Sequence, residues 1–326
     1  MMLRPGNAQD QGARDAQQDS FAFSDLDDRA FVSHGGVLAV IADGMGGLAH
    51  GGAAGALAVK AFLERYQEKT RDESIPHALA AALEQANRVV VELARSAGEL
   101  GNVGATLTAA VVDGERLHWV SIGDSRVYLY RAGHVTQVTH DHVYAAELDA
   151  RVAAGQLSAA VAEADRDRDA LTSHLGKAVL STIDRSERPL PLESGDRVLL
   201  CTDGLYRALS PEELAPPLAG GAQRGCETLV AQALAKGLPQ QDNVTALALA
   251  LGGDVTSQTS EFTPARSRSQ RLRRPLVAFI GAVALLLVAV LIWIYFFTVC
   301  CTPPLPPRAG SVRPSSIAFA QELPPC

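Results

Sequence analysis

The chain has 326 residues, 47% hydrophobic and 20% charged, which is too apolar for a disordered chain and long enough to bury one large core or two modest ones. Its net charge of −7, from 36 acidic against 29 basic residues, leaves no electrostatic footprint for nucleic acid. The five cysteines (Cys201, Cys226, Cys300, Cys301 and Cys326) show neither CxxC nor His-paired spacing, which argues against zinc, and Cys201 and Cys226 read as reduced thiols.

In chain order, the opening MMLRPGNAQDQGARDAQQDS holds no apolar run, so no secretory signal is expected. Asp19, in RDAQQDS, precedes the short apolar stretch FAF. The run 37-VLAVIA-42 predicts a strand that ends at Asp43 and is followed by a cluster of glycines. Apolar residues at i, i+3, i+4 spacing predict helices over about 52–68 and 76–97, with Pro76 suited to a first helical turn. Strands are predicted at 107–112, 117–123 and 127–131, and the turn chemistry of 113-DGER-116 and 131-RAGH-134 joins neighbours into antiparallel hairpins. A charged, less regular helical region covers 143–172, a strand 197–202, helix 211–236 and a last strand 245–251. No internal repeat is present, and residues 1–251 are expected to form one α+β domain.

Beyond it the pattern changes. Residues 252–275 read as a flexible basic linker. Residues 276–299 are 24 consecutive residues without a charge, a helix of roughly 36 Å at ~1.5 Å per residue, which predicts one transmembrane helix with Trp293 and Tyr295 toward its exit end. Arg266, Arg268, Arg271, Arg273 and Arg274 precede it against Arg308 and Arg313 after it, so the expected placement is single-pass in the inner membrane with the large N-terminal part cytoplasmic. The Pro-rich tail 300–326 then falls outside the cytoplasm, where Cys300 and Cys301 admit either a disulfide with Cys326 or acylation.

The acidic residues carry the chemistry. Asp43 and Asp203 end strands and precede Gly44 and Gly204, Asp124 follows WVSIG, and Asp242 precedes NVTALALAL. A lone Asp-Gly after a strand is usually a turn. Several carboxylates at strand ends from remote segments would converge at one edge of the sheets, repelling each other unless a cation sits among them. Oxygen ligands without nearby histidine or cysteine suit Mg²⁺ or Mn²⁺.

The segments RDAQQDS, ADGMGG, VGATL, GDSRVYLYR, THDH, GDRVLLCTDGL and QQDNVT, in this order over residues 4–251, resemble the type 2C, metal-dependent serine/threonine phosphatases. That resemblance implies a four-layer α-β-β-α sandwich, two antiparallel sheets flanked by helices. It implies two divalent cations, Mn²⁺ or Mg²⁺, with Asp43 bridging them, the Gly44 carbonyl as a further ligand, Asp203 and Asp242 on the first and Asp19 on the second. Arg14 matches the arginine that grips substrate phosphate, and Asp124 a ligand of a third, weaker cation. The implied activity is hydrolysis of phosphoserine and phosphothreonine proteins by an activated water, with a membrane-associated serine/threonine kinase as a plausible partner by analogy. Oligomeric state is left open.

Four positions depart from that pattern. Leu48 stands where relatives carry a histidine, leaving His50 as either a substitute acid for the leaving group or an ordinary loop histidine. Gly52 replaces a glutamate, Ser173 a frequently basic residue, and Arg207 brings a positive charge to a third-cation aspartate position. The departures at Leu48 and Arg207 motivate a rival reading as a pseudophosphatase that binds a phosphoprotein or kinase without turnover. A second rival, a nucleotide phosphate loop, is disfavoured, since the chain lacks G-x-x-x-x-G-K-[ST] and GMGG after an aspartate does not fit G-x-G-x-x-G.

Overall fold

The structure, a computed structural model, describes residues 2–47 and 50–252. The linker, the predicted transmembrane helix at 276–299 and the tail lie outside the described residues, as does Leu48. Among the described residues, no helix is long and apolar enough to cross a membrane.

The first half runs β1 (Leu3–Asp10), β2 (Asp19–Phe23), α1 (Arg29–Gly35), β3 (Val37–Met45), α2 (Gly51–Gln67), α3 (Ile75–Ser96), β4 (Gly104–Ala105), β5 (Leu107–Asp113) and β6 (Arg116–Ile122). It continues with β7 (Arg126–Arg131), β8 (His134–Gln137), α4 (Tyr144–Ala153), α5 (Ala159–Glu163), β9 (Asp184–Arg185), β10 (Leu190–Pro191), β11 (Arg197–Cys201), α6 (Asp203–Tyr206), α7 (Pro211–Ala219), α8 (Ala222–Ala235) and β12 (Val244–Leu251). One sheet has the order β1-β12-β11-β7-β8 and the other β10-β6-β5-β3-β2, with β4 on β3 and β9 on β6. The main pairs β1–β12, β11–β12, β11–β7, β2–β3, β3–β5 and β5–β6 are antiparallel.

Alternation along the strands explains the layers. In β3, Leu38, Val40 and Ala42 join the core formed with α2 and α3, while Val37, Ala39 and Ile41 face the other sheet. In β12, Val244, Ala246, Ala248 and Ala250 pack beneath α7 and α8, and Leu247, Leu249 and Leu251 meet the sheet that holds β3. Strands buried on both faces read as continuous apolar runs, as these do. The α-β-β-α sandwich therefore follows from three cores, one under each helical layer and one between the sheets.

Three details differ from the sequence expectation. Asp43 does not end β3, which continues through Gly44 to Met45 because Gly44 and Met45 pair with β4. The region 143–172 is helical only in α4 and α5, since α4 stops before Gly155, whose φ of +70 is open to glycine. Strand β1 carries Pro5 and Gly6, poor strand residues, and survives as an edge strand paired with β12 from Leu3↔Leu251 to Asp10↔Val244.

Gly44 is required by packing rather than by openness. A Cβ there would drive into the Gly51 carbonyl at the start of α2 and come within 3.1 Å of the Gln18 carbonyl. Gly44→Ala is accordingly expected to destabilise the fold by about 1–3 kcal/mol, the usual cost of overpacking, read as a lower midpoint in thermal unfolding.

Candidate metal centre

Side-chain parity places the acids. Asp43 shares the inward face of β3 with Val37, Ala39 and Ile41, and Asp19 lies directly opposite it in the β2–β3 register. Like charges across a strand pair repel, so this pairing needs a reason beyond the fold. On the facing sheet, Thr202 and Thr245 continue the inward faces of β11 and β12. Both hydroxyls donate to Asp19 Oδ2, at 2.8 and 2.6 Å, so the two sheets are tied together at this end of their cleft. Gln9 supports the arrangement by donating to Thr245 Oγ1 at 3.0 Å and to the Asp19 carbonyl at 3.1 Å.

The quoted motifs meet here. The Asp43 N–H donates to Thr106 Oγ1 at 2.9 Å and its carbonyl accepts from the Thr106 N–H at 2.8 Å. Thr106, from VGATL, also shares a 2.8 Å hydroxyl bond with Ser125 of GDSR. Arg126 of GDSR forks onto Asp141 of THDH and lies 3.4 Å over the Tyr206 ring. Tyr206 in turn donates its hydroxyl to Asp124 Oδ2 at 3.1 Å. Asn243 clamps the loop that carries Arg14: its Oδ1 accepts from the Gln18 N–H, and its Nδ2 donates to the Gln11 and Ala16 carbonyls. Arg14 itself donates to Asp242 Oδ2 at 2.6 Å.

Burial and mutual repulsion dominate the electrostatics. Burial pushes the Asp43 carboxyl well above its usual range, and Asp19, Asp203, Asp242 and Asp124 all push the same way. Asp19 is raised to about 6 by burial, against the opposing hydrogen bonds of Thr245 and Thr202. Asp203 is raised to about 7, by burial first and by Asp124 next, with Arg207 opposing. Asp124 is raised by burial, opposed by Tyr206 and Arg207. Buried carboxyls this frustrated are a mark of functional sites.

The donor set suits a hard divalent cation. Asp19 Oδ1 and Asp203 Oδ1 are both buried without a hydrogen-bond partner, an expensive state for a carboxylate oxygen unless an ion takes it up. Among the described residues no three acid, histidine or cysteine side chains stand close enough together to hold a metal ion as they are placed. Arginine occupies two of the acids instead, Arg14 on Asp242 and Arg207 on Asp203.

The structure brings Asp19, Asp43, Asp124, Asp203 and Asp242 within electrostatic reach of each other, with Arg14 beside Asp242 and Gly44 next to Asp43 in β3. His50 is turned elsewhere, its Nδ1 3.3 Å from Glu99 Oε2. The sequence reading overlooked Thr106, Thr202, Thr245 and Asn243. The signal available for the two strand threonines was parity, because each continues an inward apolar face.

The two-sheet sandwich matches the fold of bacterial serine/threonine phosphatases of known structure. The S. agalactiae serine/threonine phosphatase superposes with a TM-score of 0.66 at 25% identity, covering 77% of this chain and 100% of that one. The catalytic domain of serine/threonine protein phosphatase PstP in complex with 2 manganese ions gives 0.60 at 30% identity, over 77% and 99%. The chain belongs to the protein phosphatase 2C family, whose model matches residues 11–239; Asp242 lies just beyond that span. PstP of Mycobacterium tuberculosis is 34% identical over 220 residues, which are 66% of this chain and 40% of that protein, so the chain spans well under half of that relative's length.

Proposed function

We propose that this chain is a metal-dependent protein serine/threonine phosphatase. The observation that carries the reading is the pair of buried, unpartnered oxygens on Asp19 and Asp203, set among acids that repel one another. Two Mn²⁺ or Mg²⁺ ions would be held by Asp43 between them, by Asp203 and Asp242 on the first and Asp19 on the second, with the Gly44 carbonyl as a further ligand. Bound there, such ions supply a water acidic enough to attack phosphorus and positive charge for the phosphoryl oxygens. The rest falls to the chain's own groups. The threonine pair on Asp19 Oδ2 holds that carboxylate in one orientation and leaves the buried Oδ1 without a hydrogen-bond partner. Thr106 fixes the backbone of Asp43 from both sides. Arg14 presents a planar fork that pairs with a carboxylate in this structure and matches a phosphate equally well.

The test is release of phosphate from a phosphothreonine peptide by the full-length chain, titrated with Mn²⁺. Cation-dependent turnover is the expected result. No turnover at any Mn²⁺ concentration would turn the reading to a phosphoprotein- or kinase-binding module. Arg14→Lys keeps the charge and loses the fork, so kcat/KM is expected to fall roughly 10- to 100-fold, chiefly through KM.

We also propose that residues 276–299 anchor the enzyme in the inner membrane with residues 1–251 cytoplasmic, where a membrane-associated serine/threonine kinase would supply its phosphorylated substrates. The support is the 24-residue uncharged run with its flanking arginines. Recovery of the full chain in the membrane fraction, and of a chain lacking 276–326 in the soluble fraction, is the expected outcome.

A further inference from the structure

Arg207 sits at the C-terminal end of the α6 turn that begins with Asp203. Each of its three nitrogens faces a different acid. Nε lies 2.9 Å from Asp203 Oδ2, Nη1 3.0 Å from Asp169 Oδ2, and Nη2 3.9 Å from Asp124 Oδ2. Those acids come from three remote stretches: the turn after β11, the segment following α5, and the β6–β7 connection. Beside them opens a cavity of about 630 Å³, lined by Asp124, Asp169 and Arg207 together with Arg126, Asp149 and Arg168.

An arginine whose side chain is 44% exposed is most often a surface ion pair worth at most about 1 kcal/mol. Two features set this one apart. Asp124 and Asp203 are only 8% and 15% exposed at the side chain, and they would repel each other without a positive charge between them. The guanidinium is also the one basic group paired with these two acids among the described residues, while its remaining Nη1 reaches outward to Asp169 on the 144–172 segment. A third divalent ion seeking Asp124 would meet that fixed charge, and the site does not fit such an ion.

We propose that the Arg207 guanidinium is a built-in cation that takes the position a third divalent ion would need beside the catalytic pair, and that pins the 144–172 segment to the centre through Asp169. The stoichiometric half of this statement rests on the two-cation reading above; the pinning half does not.

Two measurements on the full-length chain test it. In calorimetric titration with Mn²⁺ alone, the wild type is expected to take up two ions and Arg207→Asp three. In hydrogen exchange without cations, Arg207→Gln is expected to speed exchange of the 144–172 amides roughly two- to fivefold, the size of one exposed ion pair, and to leave the strand amides unchanged. Three ions on the wild type, two on a folded Arg207→Asp, or unchanged 144–172 exchange in Arg207→Gln would each overturn the proposal. Absence of any Mn²⁺ uptake by the wild type would count against the two-cation reading itself, and the exchange measurement would still decide whether Arg207 pins the segment.

Discussion

Asp43→Asn is expected to abolish turnover while making the metal-free protein more stable. The loss should reach about 10³-fold or more in kcat/KM, because in the proposed function Asp43 would hold both cations, and several kcal/mol of transition-state stabilisation would depend on them. The gain follows from the same geometry. Asp43 lies across from Asp19 in register and is pushed toward its neutral form by burial and by four neighbouring aspartates. An amide of the same shape removes one charge from that cluster and keeps both backbone bonds to Thr106, which involve only the main chain of residue 43. Thermal unfolding in EDTA should therefore show a higher midpoint for the variant, beside assays showing no phosphate release. A midpoint that falls would mean Asp43 is held by structural contacts of its own, and retained turnover would remove it from the centre.

That opposition between stability and activity also explains which parts of the molecule could be read from the chain. Runs such as VLAVIA and TALALAL are apolar on both strand faces, so their burial was plain, and the turn residues at 113–116 and 131–134 marked hairpins that the register confirms. The acids stood out because a charge at the end of such a run breaks the local pattern. What the pattern could not convey was geometry set by distant partners. Asp43 lies inside its strand because β4, some sixty residues on, pairs with Gly44 and Met45. Strand β1, with Pro5 and Gly6, has no strand signature and exists because β12 offers it an edge. Charged helical spacing over 143–172 predicted more helix than α4 and α5 supply, because Gly155 follows the end of α4 and the Arg168 and Ala170 carbonyls accept from the Ala145 and Tyr144 N–H groups at its start. His50 was legible as a candidate acid from its place in the chain alone, and only the structure shows its ring engaged with Glu99.

The acidic cluster also fixes how stability should respond to pH when no cation is present. Asp203 is raised from the ordinary carboxylate value near 3.8 to about 7, and Asp19 to about 6. Between roughly pH 4 and these values the folded chain binds protons that the unfolded chain has already released, so stability declines as pH rises. A tenfold difference in proton affinity between the folded and unfolded chain is about 1.4 kcal/mol, which makes the combined effect several kcal/mol. Three histidines, the buried His118 and His142 and the half-buried His174, act in the opposite direction: desolvation lowers their values, so they favour the fold as pH rises toward about 6.5. Above that point the carboxyls act without this opposition, and the metal-free chain should lose stability between pH 6.5 and 8. Divalent cations remove the cause, since they bind the charged form and displace the protons. At about 100 times its dissociation constant a bound ion adds roughly 2.7 kcal/mol, or about 5–10 °C in a domain of this size. The Mn²⁺-induced rise in midpoint should accordingly be larger at pH 8 than at pH 5.5, where protons compete for Asp19 and Asp203. A rise that is the same at both pH values would show that the ion binds away from these carboxyls.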